Sequence, residues 1–258
     1  MGERTKIAWA HSTFNPWVGC AKVSAACAHC YAETWARRTG HPQLWQGVRR
    51  RTADATWRRV RRWDREAEES GQSRRVFPSL CDPFEDEHNI ASWRYAFWDL
   101  VVDTPHLAWL LCTKRPENVL SMVPPEWLVQ WPAHVWLGTT VEDQQRADER
   151  IPHMLRCPAP VRFLSVEPML GPVTLPVEFL ALGRSAWVIC GGESGPGARP
   201  MDPDWVDALA AQCHDVGVPF FFKQLGDVLS RQWKCADRSG RTPSEWSIPW
   251  QVQEVPHE

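Results

Sequence analysis

Three cysteines lie within eleven residues near the start of the chain, and they are the residues best suited to chemistry in this sequence. Cys20, Cys27 and Cys30 are spaced C-x6-C-x2-C in the loop 19–31, and a helix is predicted to begin directly after the third. Thiolates crowded this closely usually share a metal, because soft sulfur ligands suit zinc or an iron–sulfur cluster. A [4Fe–4S] cluster held by only three cysteines leaves one iron open for a small molecule. The spacing therefore predicts a metal or cluster site in this loop.

Zinc is the alternative metal, because His29 would complete a set of four donors with the three cysteines. Structural zinc modules usually present two separated pairs of ligands. Here a pair and a lone cysteine share one loop, and His29 is poorly placed to share the metal of its neighbour Cys30. A cluster that activates a substrate fits this loop better, and a zinc-stabilised binding module stays open as the alternative.

Length and composition exclude several classes of protein. The chain has 258 residues, enough for one large α/β domain or two small ones, and its net charge of -2 does not mark a nucleic-acid binder. No apolar run approaches membrane-spanning length, and the N-terminus has no apolar segment of a signal peptide. We therefore expect a cytoplasmic protein without a membrane partner. Its nine cysteines are interpreted as thiols and ligands rather than a disulfide framework.

Short apolar strands alternate with helices from residue 76 onward, which is the pattern of a parallel sheet covered by helices. Six such strands, with one more before the cysteine loop, suit a partial or full (β/α) barrel with parallel strands. We assign residues 1–226 to this barrel and 227–258 to a C-terminal extension packed on it. The predicted strands are 76–80, 107–112, 134–138, 161–164, 186–190 and 218–222; the predicted helices are 31–39, 56–69, 90–102, 117–122, 144–155 and 202–216, with loop at 41–55.

Polar side chains follow almost every predicted strand. In parallel α/β folds the carboxyl ends of the strands are where ligands bind. Any one of these residues could instead cap the following helix, but as a set at one edge of the sheet they predict a binding site. The set comprises Asp82, Thr113, Lys114, Arg115, Ser165, Glu167, Glu193 and Lys223.

Together, the cysteine loop and these strand ends resemble the radical S-adenosylmethionine (radical SAM) enzymes, and more closely a phage-associated group of radical-SAM-like proteins of unassigned substrate. The resemblance covers nearly the whole chain to residue 226. The usual loop of those enzymes is C-x3-C-x2-C, so the first interval here is longer by three residues. The motifs are Thr5-Lys6-Ile7-Ala8-Trp9, Asn15-Pro16, Cys30-Tyr31-Ala32-Glu33, Leu111-Cys112-Thr113-Lys114-Arg115-Pro116, Val135-Trp136-Leu137-Gly138, Ser165-Val166-Glu167-Pro168, Gly191-Gly192-Glu193-Ser194-Gly195 and Phe222-Lys223-Gln224.

The resemblance implies a mechanism. Cys20, Cys27 and Cys30 would each bind one iron of a [4Fe–4S] cluster, and the remaining iron would chelate S-adenosylmethionine. One electron from an external flavodoxin- or ferredoxin-like donor would cleave the sulfonium and give a 5′-deoxyadenosyl radical. That radical would abstract hydrogen from an unidentified substrate. The cofactors supply this chemistry, and the protein aims the radical and excludes water.

The resemblance also implies roles for charged residues beside the cofactor. The ring of His29 would lie near the adenine, and Asp82 would hold the methionine amine. Lys114 and Arg115 would pair with the methionine carboxylate or with a substrate phosphate. Lys223 joins Arg115 among the residues expected to bind substrate or phosphate.

Further roles fall on later strand ends. Ser165 and Glu167 would contact the ribose or the carboxylate of the cofactor. Gly191 and Gly192 lack a Cβ atom, so the backbone there could approach the adenine closely. Glu193 would accept a hydrogen bond from a ribose hydroxyl or from the substrate.

Residues 49–65 carry eight arginines against two aspartates, a local charge of +6. Trp57 and Trp63 interleave with them, and Arg58 and Arg62 fall on one helical face. Arginines with aromatic neighbours can bind phosphates and stack bases, which favours a nucleotide or a nucleic-acid base as substrate or partner. A solvated helix balanced by nearby glutamates is the alternative.

Two other functions stay open: electron transfer without cofactor cleavage, and a zinc- or cluster-stabilised nucleic-acid-binding protein without radical chemistry.

Overall fold

The structure is a computed structural model that describes residues 2–246 and 252–256. The described residues form two compact units. The first unit contains residues 2–23, 32–138 and 157–160; the second contains 24–31, 139–156, 161–246 and 252–256. The cysteine loop is divided accordingly, with Cys20 in the first unit and Cys27 and Cys30 in the second.

The fold is α/β with a parallel sheet of seven strands, so the coarse prediction of fold class is confirmed. The strand order is β1-β4-β5-β6-β7-β8-β9, which is the sequential order of a partial β/α barrel. A separate antiparallel pair joins β2 and β3. The strands are β1 (Ser12–Thr13), β2 (Trp17–Val18), β3 (Arg50–Arg51), β4 (Arg74–Phe77), β5 (Leu107–Thr113), β6 (Val135–Thr140), β7 (Arg162–Val166), β8 (Ala186–Gly191) and β9 (Phe220–Gln224).

Helices lie between the strands of the sheet, as crossovers between parallel strands require. Several begin at a side-chain cap: Asp143 and Asp202 each accept a hydrogen bond from a backbone N–H in the first turn of their helix. The helices are α1 (Tyr31–Arg38), α2 (Asp54–Ser70), α3 (Ala91–Val102), α4 (Val119–Met122), α5 (Pro125–Val129), α6 (Gln144–Leu155), α7 (Val177–Leu180), α8 (Pro203–His214) and α9 (Gly226–Gln232).

An aromatic core holds the first unit together. Phe14, which follows β1, is completely buried and lies edge-on to Trp57 of α2, with ring centroids 5.4 Å apart. Phe97 of α3 packs against Trp109 of β5 at 5.3 Å. Such pairs add stabilisation beyond the apolar area that they bury, and here they fix α2 and α3 against the sheet.

The second unit is built on the β7, β8 and β9 ladder. Each strand pairs with the next in parallel, for example Leu164 with Val188 and Val188 with Phe220. The outer edge of β9 is covered by residues 252–254, since Phe222 N donates to Val252 O and Glu254 N donates to Phe220 O. A covered edge strand cannot template pairing with another chain.

Most predicted elements are confirmed to within two or three residues, and the exceptions have local causes. The predicted loop 41–55 contains a 3₁₀ turn at Pro42–Trp45 and strand β3. The sequence does not show β3, because a two-residue strand has no periodicity of its own. Helices α5, α7 and α9 are short and were also not predicted. Among the described helices, none is long and apolar enough to cross a membrane.

The division at residue 226 stays a prediction. The part of the predicted extension at 247–251 and 257–258 lies outside the described residues. Within the described part, Leu225 N donates to Gly240 O, and the ring of Trp246 lies 4.8 Å from that of Phe222. These contacts attach the segment after β9 to the second unit.

Candidate functional site

A buried cluster of charged residues surrounds the first cysteine, and we call it the Arg115 cluster: Cys20, Arg49, Asp82, Glu85 and Arg115. Asp82 and Glu85 follow β4, and Arg115 follows β5, so these residues come from the carboxyl ends of neighbouring parallel strands. Arg115 NH1 lies 2.8 Å from Asp82 Oδ2 and 3.9 Å from Cys20 Sγ. The predicted edge of the sheet therefore does bring Asp82 and Arg115 together beside a cysteine of the loop.

The carboxylate of Asp82 is fully engaged with protein groups. Its Oδ1 accepts hydrogen bonds from Thr113 Oγ1 at 2.7 Å and from Phe84 N at 3.0 Å. Its Oδ2 accepts from Lys114 N at 3.2 Å as well as from Arg115. In this structure Asp82 orients Arg115, and its predicted contact with a methionine amine stays a prediction.

Glu85 and Arg49 form a second ion pair in the same cluster. Arg49 Nε and NH2 donate to the two Glu85 oxygens at 2.7 and 2.5 Å, and both side chains are 3% exposed. Glu85 Oε1 also accepts from Ala21 N at 2.7 Å, which ties the cysteine loop to the end of β4. A two-pronged Arg–carboxylate pair is among the strong hydrogen-bonded contacts in proteins.

Burial raises the pKa of the Cys20 thiol to about 12, with Asp82 and Glu85 adding to the rise and Arg115 opposing it. The thiol is therefore protonated at neutral pH, and a metal would have to displace that proton. Burial lowers the pKa of Arg115, but Asp82, Cys20 and Glu85 outweigh burial and raise it. Arg115 consequently stays cationic beside the sulfur.

A second cluster lies in the second unit, and we call it the Glu193 cluster: Ala25, His29, Glu193 and Arg199. Glu193 follows β8, and its Oε2 lies 3.0 Å from His29 Nδ1 and accepts from Arg199 Nε at 2.8 Å. Arg199 NH2 also donates to Ala25 O at 3.1 Å. Burial raises the pKa of Glu193, but the hydrogen bonds from Arg199 and His29 outweigh burial and hold it below its ordinary value. The predicted residues His29 and Glu193 thus contact each other.

One more ion pair fixes the loop within the second unit. Glu142, which follows β6, accepts from Ala26 N at 3.2 Å and from Arg150 NH1 at 2.8 Å. The side chain of Glu142 is fully buried and that of Arg150 is 6% exposed. Arg150 also donates to Thr140 O, so α6 holds the end of β6 and the loop through one side chain.

The glycines at the end of β8, Gly191 and Gly192, have a packing role that the sequence does not reveal. A Cβ atom on Gly192 would lie 2.1 Å from Leu225 O, and one on Gly191 would lie 3.3 Å from Gln224. Gln224 Nε2 donates to Gly192 O at 2.9 Å. The absence of a side chain lets β8 pack against the chain that follows β9. Their predicted approach to adenine stays a prediction.

The remaining predicted residues lie at other strand ends of the second unit. Lys223, in β9, forms an ion pair with Glu167, which follows β7, and each side chain is 16% exposed. Ser165, in β7, is buried, and its carbonyl accepts from Val141 N at 3.1 Å. These residues lie at the ends of their strands, and Glu167 and Lys223 are paired with each other. Their predicted contacts with a ligand stay predictions.

In the arginine-rich stretch, the tryptophans are buried and the arginines Arg58 and Arg62 are exposed, so the two residue types do not share one surface. Trp57 and Trp63 are buried in the core, so the expected stacking of bases on these rings is wrong. Arg58 and Arg62 are exposed on α2, and Arg62 pairs with Glu3 at 2.8 Å and with Glu66 at 3.2 Å. The amphipathic pattern placed both tryptophans on the face of α2 that meets the sheet.

The donor set can be judged against an iron–sulfur cluster. Cys20, Cys27 and Cys30 are free thiols, as are the other six cysteines, so three soft ligands are available. Within residues 2–246 and 252–256, no group of three or more His, Cys, Asp or Glu side chains is arranged to hold a metal ion. The chemistry of the three thiol donors fits an iron–sulfur cluster.

Sequence reasoning did not single out Arg49, Glu85 and Arg199 of the two clusters, nor Glu142 of the third ion pair. Glu85 and Glu142 follow predicted strands, so the same reasoning that selected polar residues after each strand could have included them. Arg49 carried no signal, because it stands among arginines that were read as a surface feature. Arg199 carried no signal, because it lies within the loop between β8 and α8 rather than directly after a strand, and the path of that loop sets its contact with Glu193.

The chain belongs to the family described as "Protein of unknown function (DUF5131)", which matches residues 4–247. Comparison with the curated proteins and with the solved structures gave no significant match. The match includes the Arg115 cluster and the Glu193 cluster, and the family description gives no activity.

Proposed function

We propose that this protein is an enzyme of radical SAM type that binds a [4Fe–4S] cluster through Cys20, Cys27 and Cys30. One observation carries the proposal: buried ion pairs at the carboxyl ends of the parallel strands fix the cysteine loop within each unit. Parallel α/β folds place their ligands at that edge of the sheet. The loop is thus held at the edge of the sheet where this class of fold binds ligands, which supports the proposal.

When bound, the cluster and S-adenosylmethionine supply one-electron cleavage of the sulfonium and a 5′-deoxyadenosyl radical. The chain contributes position and environment. Arg115 places a positive charge 3.9 Å from a ligand sulfur. His29 offers a flat ring whose other nitrogen, Nε2, faces Gly197. Lys223 and Glu167 form a half-buried ion pair. A carboxylate of a bound ligand could pair with Lys223, and an ammonium group could pair with Glu167.

Iron and sulfide content tests the cluster. Anaerobically reconstituted protein should be brown and carry about four iron and four sulfide per chain. Cys30→Ala should lose the cluster, whereas Cys235→Ala, which removes a half-exposed cysteine after α9, should keep it. Colourless protein with zinc in place of iron would reject the proposal in favour of a zinc-stabilised binding module.

The product of cofactor cleavage tests the enzyme. Dithionite and S-adenosylmethionine should yield 5′-deoxyadenosine with cluster-loaded wild-type protein and none with Cys30→Ala. A loaded protein that yields none, with flavodoxin or ferredoxin as well as with dithionite, would point to electron transfer alone. The external donor is itself part of the proposal.

A nucleotide or nucleic-acid substrate remains a narrower proposal. It rests on the exposed arginines of α2 alone, since the tryptophans between them are buried. If it is right, Arg58→Ala/Arg62→Ala should weaken binding of single-stranded DNA or RNA and reduce the salt slope by about two. Equal binding by the variant and the wild type would remove nucleic acid from the list of partners.

A further inference from the structure

Residue 21 of the cysteine loop is held by side chains at both of its backbone polar groups. Its N–H donates to Glu85 at 2.7 Å, and its carbonyl accepts from Arg115 NH2 at 2.9 Å. The loop at 20–23 has no secondary structure that would otherwise satisfy these groups. Two contacts distant in sequence therefore set the local backbone next to Cys20.

Arg115 is itself fixed before it reaches the loop. Its backbone N donates to Thr113 Oγ1 at 2.9 Å, and its guanidinium is aimed by Asp82 at 2.8 Å. Thr113 in turn donates to Asp82 at 2.7 Å. The side chain of Arg115 is 10% exposed, so the surrounding protein and not solvent determines where it points.

The guanidinium of Arg115 also contacts the sulfur of Cys20. Arg115 NH1 contacts both Asp82 Oδ2 and, at 3.9 Å, Cys20 Sγ, while NH2 holds the carbonyl of Ala21. Arginine can do this because its donors form a rigid planar fork, which a lysine ammonium does not provide. Partners of this kind orient metal ligands, and hydrogen bonds to ligand sulfurs raise the reduction potential of iron–sulfur clusters.

We propose that Arg115 is a positioning residue that presents the Cys20 sulfur for ligation and, in the loaded protein, stabilises the reduced cluster. The second half of this proposal rests on the proposed function. The first half concerns the order of the loop and can be tested without any cluster.

Hydrogen–deuterium exchange of the metal-free protein tests the first half. The amide of Ala21 should exchange about tenfold faster in Arg115→Gln than in the wild type, because the loop loses a charge-assisted hydrogen bond. Arg115→Lys should give an intermediate rate. Arg61→Gln, which breaks an exposed pair with Asp103, is the matched control and should leave that amide unchanged.

The same exchange data distinguish a locally disordered loop from a protein that is destabilised throughout. Exchange in β7 of the second unit should stay at the wild-type rate in Arg115→Lys, even if Arg115→Gln unfolds more readily. If the peptide covering 19–24 exchanges at the wild-type rate in both variants, the proposal is wrong.

Redox titration of reconstituted protein tests the second half. The midpoint potential should move to a more negative value in Arg115→Gln, with Arg115→Lys between that variant and the wild type and Arg61→Gln unchanged. An unchanged potential would overturn the action on the sulfur and leave Arg115 as a structural residue. Wild-type protein that takes up no iron would instead defeat the proposed function, and the exchange experiment alone would then decide the role of Arg115.

Discussion

The cysteine loop is held by the Arg115 cluster in the first unit and by the Glu193 cluster in the second, and these two clusters differ in their exposure to water. In the Arg115 cluster, the side chains of Arg49 and Glu85 are each 3% exposed. In the Glu193 cluster, Arg199 is 30% and His29 is 33% exposed, although Glu193 itself is buried. Buried pairs are costly to break singly, whereas partly exposed pairs are screened by solvent and salt. The Arg115 cluster should therefore hold residue 21 more rigidly than the Glu193 cluster holds Ala25 and His29, whereas the Glu142–Arg150 pair at Ala26 is as buried as the pairs of the Arg115 cluster.

The largest expected effect comes from removing the shared carboxylate of the Arg115 cluster. Glu85→Ala would leave the buried Arg49 guanidinium without its partner and Ala21 N without an acceptor. We expect a loss of about 3–5 kcal/mol in the free energy of unfolding, measured by urea denaturation. The control Arg61→Ala breaks an exposed pair and should cost less than about 1 kcal/mol. Similar losses in the two variants would refute the contrast between buried and exposed pairs.

The second effect concerns the backbone behind the Glu193 cluster. In Gly192→Ala the new Cβ would lie 2.1 Å from Leu225 O, so β8 and the chain after β9 would have to separate. We expect a loss of about 1–3 kcal/mol in stability, seen as a lower Tm. Gly171→Ala places its Cβ 3.6 Å from Asp143 and serves as the control. If Gly192→Ala and Gly171→Ala have equal Tm values, the close packing of Gly192 against Leu225 does not stabilise the backbone next to Glu193.

A smaller effect is expected from the partly exposed arginine of the second unit. Arg199→Gln removes the charge-assisted hydrogen bonds to Glu193 and should cost about 1–2 kcal/mol at low salt. At about 1 M salt, where the Debye length is about 3 Å, the difference from wild type should shrink. A difference that does not depend on salt would indicate that this pair behaves like the buried pairs of the first unit.

The smallest effect is a pH dependence at Glu193, whose carboxylate faces His29 and Arg199. Because its pKa in the folded protein lies below the ordinary 4.5, the charged carboxylate contributes stability above that pH. This contribution is lost as the pH falls through the lowered pKa. The stability difference between wild type and Glu193→Gln should therefore diminish on acidification below pH 4.5. A difference that is constant with pH would contradict the assignment of the lowered pKa to this carboxylate.

Local pattern was sufficient for much of the fold. The helix α2 follows from the period at which Trp57, Val60 and Trp63 recur, and these residues are buried as an amphipathic helix requires. Strands β5 and β8 follow from their continuous apolar runs, which are typical of a parallel sheet covered on both faces. Strand β3 could not be predicted, because its two residues depend on pairing with Trp17 and Val18.

The candidate site was predictable in its location and not in its contacts. The rule that polar residues follow parallel strands identified Asp82, Arg115 and Glu193, which do lie at carboxyl ends. Their contacts with other protein groups were not predicted: Arg115 contacts Asp82, Cys20 and Ala21. Its expected contact with a ligand stays a prediction. Which side chains pair depends on their distances in the folded chain, and these distances do not follow from how far apart the residues are in the sequence.

The sequence by itself determined the α/β class, the position of the cysteine loop and the identity of its three thiols, because these depend on periodicity and spacing along the chain. Only the tertiary structure decided which charges are buried. Arg49 and Arg58 look alike in the sequence, yet Arg49 is buried with Glu85 and Arg58 is exposed on α2. The reason is physical: a buried guanidinium requires a carboxylate in contact, and only the folded chain brings that partner from 36 residues away.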